Sequence, residues 1–105
     1  MAEIKYVTES TFRQEVEASS IPVLVDFYAD WCGPCKMVQP ELEALAKDCE
    51  GVVVAKVNVD ENNHLAERFG ISSIPCMILF NNGEAVKTII GYRTKQQLEA
   101  LINCG

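Results

Sequence analysis

Apolar positions along this chain follow two alternating periods. "PVLVDFYA" (22–29) and "GVVVAKVNVD" (51–60) are nearly continuous apolar runs, the pattern of strands buried on both faces. Between them, Val38, Leu42, Leu45 and Cys49 recur at steps of four, three and four, while Glu41, Glu43, Lys47 and Asp48 lie mostly elsewhere. That spacing predicts a helix from Pro34 with one apolar face. Pro40 falls inside it, where a missing N–H predicts a kink. Upstream, "EIKYV" reads as a short strand, and "STFRQEVEA" as a helix opened by Ser10 or a neighbouring hydroxyl, with Phe12 and Val16 on one face.

Downstream, "NNHLAERF" predicts a short helix stopped at Gly70. "CMILF", the turn residues "NNG" and "EAVKTIIG" predict an antiparallel hairpin. "TKQQLEALINC" starts with Thr94 and Gln97 in capping-box spacing and predicts a last helix burying Leu98, Leu101 and Ile102. Strands alternating with helices, then a hairpin and a helix, imply an α/β fold: one mixed sheet with helices on both faces. Length allows one core, so residues 1–105 are expected to form a single domain.

In this frame "ADWCGPCK" (29–36) lies just past the C-terminal end of a central strand, where open α/β sheets place their sites. Its two cysteines can hold a metal, close a staple or trade electrons. Pro34 suits the first position of a helix, and Gly33 permits a tight turn into it. Cys32 then stands at a helix N-terminus, where free N–H groups and the helix dipole favour a thiolate. Cys35, one turn along, reaches the same helix face and is expected to lie deeper. Cys32 is thus the attacking thiol and Cys35 the one that resolves a mixed disulfide.

Composition trims the alternatives. A formal charge of −6, from 15 acids against 9 bases without a basic cluster, argues against nucleic acid or an anionic membrane as a partner. "MAEIKYVTES" lacks the features of a signal peptide, and no apolar run is long enough to span a bilayer, so a cytoplasmic location is expected. In that reducing setting five cysteines are not expected to form a stapled framework. Structural zinc takes four ligands, and one CxxC with the single His64 supplies too few. Cys49 is assigned to packing, and Cys104 to a spare thiol able to cross-link two chains under oxidation.

Asp26 interrupts "VLVDFY" and shares a strand face with Leu24 and Tyr28, so it should be buried. Burial raises a carboxyl pKa and fits Asp26 to take the proton from Cys35, directly or through water. Lys56, embedded in "VVVAKVNV", is its candidate partner on a neighbouring strand. A purely structural pair is the alternative.

"VDFYADWCGPCK" resembles the active-site signature of the thioredoxin family, and the likeness runs the whole chain through Pro40, "VNVD", "GISSIP" and Gly91. It implies a five-stranded mixed sheet in the order 1-3-2-4-5 flanked by four helices, and a cis peptide before Pro75. It also implies that Pro75 sits against Cys32, that the Ile74 backbone pairs with an extended substrate, and that Trp31, Gly33, Pro34, Ile90, Gly91 and Tyr92 complete an apolar contact surface. Gly33, Pro34 and Lys56 are then expected to tune the redox pair.

The implied activity is general protein-disulfide reduction by a Cys32/Cys35 dithiol, serving electron transport and cell redox homeostasis. No bound cofactor is implied; the redox group is the Cys32–Cys35 disulfide, reset by an NADPH-dependent thioredoxin reductase. Implied targets are ribonucleotide reductase, peroxiredoxin and methionine sulfoxide reductase, met by a monomer. A thiol oxidase or isomerase of the same fold, and a non-catalytic subunit of another enzyme, are the competing readings. Cys76 departs from the family pattern, which commonly has threonine there; a buried small hydrophobe is the expected role, a reactive thiol the alternative.

Overall fold

The computed structural model of the chain describes residues 4–104. Its strands are β1 (Lys5–Tyr6), β2 (Val23–Tyr28), β3 (Val53–Asn58), β4 (Cys76–Asn81) and β5 (Glu84–Ile90). A π-helical segment spans Arg13–Glu17, and three α-helices follow: α1 (Gly33–Asp48), α2 (Asn63–Arg68) and α3 (Lys95–Leu101). The five strands form one sheet ordered β1-β3-β2-β4-β5, as the resemblance implied. β1, β3 and β2 run parallel, and β4 and β5 antiparallel to their neighbours. Glu3, which the apolar pattern put in the first strand, lies outside the described residues.

Strand alternation divides the core in two. Val25, Phe27, Val57, Ile78 and Phe80 pack with Phe12 and Val16 of the first helical segment and Leu65 of α2. Leu24, Val54 and Met77 pack on the other face with Val38, Leu42 and Leu45 of α1 and Leu98 of α3. Because side chains alternate, Asp26 and Lys56 point to the α1 side with Leu24 and Val54. On the opposite side the Phe12, Phe69 and Phe80 rings meet edge-on or tilted, with centroids 5.3 to 5.6 Å apart.

The caps explain where most elements stop. After α2, Gly70 takes φ +63°; its N–H donates to the Glu67 carbonyl and that of Ile71 to Ala66, a Schellman ending. Thr94 and Gln97 form a reciprocal capping box at the start of α3. Leu98 is fully buried, but Leu101 and Ile102 are only half-buried. α1 continues through Pro40.

Two expectations fail. Ser10 does not cap the first helical segment: Thr8, Ser10 and Thr11 hydrogen-bond among themselves and leave its start without a side-chain cap. Cys49 packs in the core on the α1 side as expected, but Cys104 is not a spare thiol: the two form a disulfide, with Cα atoms 6.1 Å apart. Charge, length and compartment carry no information on which helix ends meet, and here the ends of α1 and α3 do.

The hairpin tip is a two-residue turn in which Asn82 and Gly83 both have positive φ, 53° and 83°, the geometry matched to strand twist. A Cβ at Gly83 would stand 2.7 Å from the Glu17 carbonyl oxygen. Gly83→Ala should therefore cost roughly 2 kcal/mol or more of stability through strain and overpacking. Urea unfolding of the variant measures this, with disulfide reductase activity retained at temperatures where it stays folded.

Candidate active site

The site grows from the hand-over between β2 and α1. β2 ends at Tyr28, the Cys32 N–H donates to the Ala29 carbonyl at 3.2 Å, and α1 starts at Gly33. Cys32 is the N-cap: its Sγ accepts the Cys35 N–H at 3.2 Å, the task a Ser or Asp oxygen commonly performs. Pro34 falls in the first turn, where its missing N–H costs nothing. Cys32 and Cys35 form a disulfide across that turn, with Cα atoms 5.3 Å apart.

Depth does not separate the two sulfurs as expected. Cys32 is 4% and Cys35 2% exposed, both packed against Ala29, Tyr28, Val59 and Ile74. Their surroundings do separate them. Cys32 Sγ lies 3.8 Å from the Ile74 carbonyl oxygen, whereas Cys35 lines a cleft of about 460 Å³ with Tyr28, Lys36, Gln39 and Lys56. Gly33 also departs from expectation: its φ is not positive and a Cβ there would meet nothing within 4 Å. The turn does not require glycine, and its effect is to leave the surface beside Cys32 bare.

Asp26 is completely buried, opposite Lys56 in the β2–β3 register. The Lys56 ammonium lies 3.7 Å from its carboxylate, an ion pair too long for a hydrogen bond, and neither carboxylate oxygen has a hydrogen-bond partner. Lys56 is drawn elsewhere: Nζ donates to Gln39 Oε1 and lies 4.2 Å from the Tyr28 ring centroid. Burial therefore dominates and raises the Asp26 pKa from 3.8 to about 6, with Lys56 offsetting only part of the rise.

The peptide between Ile74 and Pro75 is cis, as the resemblance implied. The Gly91 N–H donates to the Pro75 carbonyl at 2.8 Å, which brings Ile90, Gly91 and Tyr92 beside Pro75. Trp31 is 71% and Ile90 54% exposed, and Tyr92 is exposed as well. Trp31 Nε1 donates to Asp60 Oδ2 at 2.9 Å, which fixes the ring beside the cysteine turn. Cys76 is a buried free thiol packed in the opposite core with Phe27 and Ile78, and burial pushes its pKa up. His64 is exposed on α2, and among the described residues no three His, Cys, Asp or Glu side chains gather as a metal site.

Residue-level reading overlooked Gln39, Tyr28 as a cation partner, and Asp60. Gln39 lies one helical turn beyond Cys35 and Tyr28 two residues along the strand from Asp26, so face-sharing alone would have found both.

The thioredoxin family model matches residues 3–104. A thioredoxin of Alicyclobacillus acidocaldarius is 52% identical over 95 residues, 90% of this chain and 90% of its own length. One of Rickettsia felis is 49% identical over 98 residues (92% and 93%), and one of Porphyra purpurea 46% over 101 residues (95% and 94%). The chain belongs to the thioredoxin family. Thioredoxins are protein-disulfide oxidoreductases that work without a bound cofactor, and this chain carries their redox-active pair as Cys32 and Cys35.

The raised Asp26 pKa has a consequence for stability. Below pH 3.8 the carboxyl is protonated in folded and unfolded chains alike. Between 3.8 and about 6 only the unfolded chain gives up its proton, so stability falls as pH rises through that window. At ~1.36 kcal/mol per pH unit, the loss reaches about 3 kcal/mol above pH 6. Asp26→Asn should therefore be more stable than the parent protein by about that amount at pH 8 and no more stable at pH 3.5. Urea unfolding at both pH values decides it; parallel pH profiles would show that Asp26 is not held protonated.

Proposed function

We propose that this thioredoxin-family protein runs as a general reductant of protein disulfides, with its residues in the following roles. The Cys32 thiolate attacks one sulfur of a target disulfide; the other target sulfur leaves with the bond electrons and takes a proton. Cys35 then loses its proton to Asp26, directly or through water, beside the Lys56 that lines the same cleft as Cys35 and pairs with Asp26, and its thiolate attacks Cys32 Sγ. The second target thiol departs, and Cys32–Cys35 is left as the disulfide. The observation that carries this reading is a disulfide at a helix N-cap whose Cys35 lines a cleft with Lys56, the ion-pair partner of a buried carboxyl without hydrogen bonds.

Ile74, Pro75, Trp31, Ile90, Gly91 and Tyr92 take the target as an extended segment that adds to the backbone at Ile74. The bare surface at Gly33 and Pro34 lets that segment come close to Cys32. Such a groove asks little of the target's side chains, which suits broad choice. Electrons come from a thioredoxin reductase, and the targets are disulfides of proteins such as ribonucleotide reductase, peroxiredoxin and methionine sulfoxide reductase. The setting is the cytoplasm, where a single-domain monomer supports electron transport and redox homeostasis. Among the described residues no helix is long and apolar enough to cross a membrane.

The test is covalent trapping. Cys35→Ser should stall at the mixed disulfide, giving an adduct between Cys32 and a target protein that added dithiol releases, while Cys32→Ser should form none. Turnover of both variants should fall at least 100-fold. Trapping through Cys35 in the Cys32→Ser protein would reverse the roles. Biological activity surviving replacement of both cysteines would favour the non-catalytic subunit instead.

A further inference from the structure

α1 carries a disulfide at each end. Cys32 is its N-cap and Cys49 its C-cap, where Cys49 bonds to Cys104 just beyond α3. Sixteen helical residues at ~1.5 Å each separate the two bonds by about 24 Å. Neither sulfur of the active-site pair can reach Cys49–Cys104 within one molecule.

The two ends differ in electrostatic sign. At the N-terminus, N–H groups converge on Cys32 and favour its thiolate. At the C-terminus the last carbonyls point toward Cys49, whose own N–H is already spent on the Leu45 carbonyl at 2.8 Å. Asp48 and Glu50 flank Cys49 in sequence, and Glu99 of α3 accepts the Cys104 N–H through its carbonyl at 2.8 Å. Of the nearby bases, Lys95 is tied to Asp48 at 2.6 Å and to Glu99 at 3.5 Å, and Lys87 donates to the Leu101 carbonyl at 2.7 Å, which leaves Lys47. A thiolate is therefore disfavoured at this end. Whatever destabilises the thiolate product of reduction makes a disulfide harder to open.

We propose that Cys49–Cys104 is a second, structural redox couple, which stays closed at the poise where Cys32–Cys35 cycles and clamps α3 onto α1. Both cysteines line a cleft of about 470 Å³ with Pro22, Val52, Leu79 and Ile102, but Cys49 is only 3% exposed while Cys104 is half-buried and the more accessible sulfur. Opening therefore requires an external dithiol. Its thiolate attacks Cys104 Sγ, and the bond electrons leave on Cys49 Sγ, which takes a proton. The reagent's second thiol resolves the mixed disulfide and frees Cys104. The protein gains two electrons and two protons, and the dithiol becomes a disulfide.

The test equilibrates the full-length protein with mixtures of reduced and oxidised dithiothreitol, quenches with acid, alkylates free thiols and maps them by mass spectrometry. Half-opening of Cys49–Cys104 should need a reduced-to-oxidised ratio at least roughly tenfold above that for Cys32–Cys35. The Cys104→Ser protein should melt below the parent under oxidising conditions, match it when both are fully reduced, and keep its turnover. Opening at the same or a lower ratio overturns the proposal. So do free Cys49 and Cys104 in the oxidised protein, chain-to-chain dimers through Cys104, or an unchanged melting temperature under oxidising conditions.

Discussion

Everything at the reactive end of the molecule depends on one hydrogen bond, from the Cys35 N–H to the sulfur of Cys32 at the start of α1. A helix begins with N–H groups that have no internal partners, and here a sulfur takes one of them. The same contact that caps the helix holds the two cysteines within bonding reach and puts the first in the field that favours its thiolate. Pro34 supports this by occupying a position where no N–H is missed, and β2 supports it by delivering the chain from the buried centre of the sheet. Helix start, redox pair and proposed nucleophile are one local structure.

Beneath that turn the sheet holds an arrangement that stability alone would not select. Asp26 and Lys56 face each other on adjacent central strands at 3.7 Å, and the carboxylate is left without a hydrogen bond. A buried charge of this kind costs more than its partner returns. Gln39 and Tyr28 deepen the asymmetry by satisfying Lys56 and leaving Asp26 to its burial. The result is a carboxyl that titrates near neutral pH, paired with a lysine that lines the same cleft as Cys35, and the proton-accepting role proposed for it would account for an acid in an apolar strand.

The legible parts of the sequence were those set by local periodicity. Val38, Leu42 and Leu45 announced the buried face of α1, the alternation around Asp26 announced its burial, and Thr94 with Gln97 announced the α3 cap. What stayed hidden depends on which distant elements meet. No spacing shows that Cys49 and Cys104, 55 residues apart, end two helices that pack together. The first helical segment misled for a different reason: its hydroxyls prefer one another to the helix backbone. The groove residues lay between these cases. Nothing in the spacing of Trp31 and Tyr92 shows their neighbours; the Gly91–Pro75 hydrogen bond brings Tyr92 beside Pro75, and the Trp31–Asp60 contact holds the Trp31 ring next to the cysteine turn.

The central claim is that the start of α1 makes Cys32 the nucleophile. The most direct measurement is the rate at which each thiol of the fully reduced protein is alkylated as a function of pH, resolved by residue. The account predicts that Cys32 becomes reactive at a lower pH than a free cysteine, and reacts faster than Cys35 throughout the neutral range. A Cys32 that titrates like a free thiol, or a Cys35 that reacts first, would contradict it.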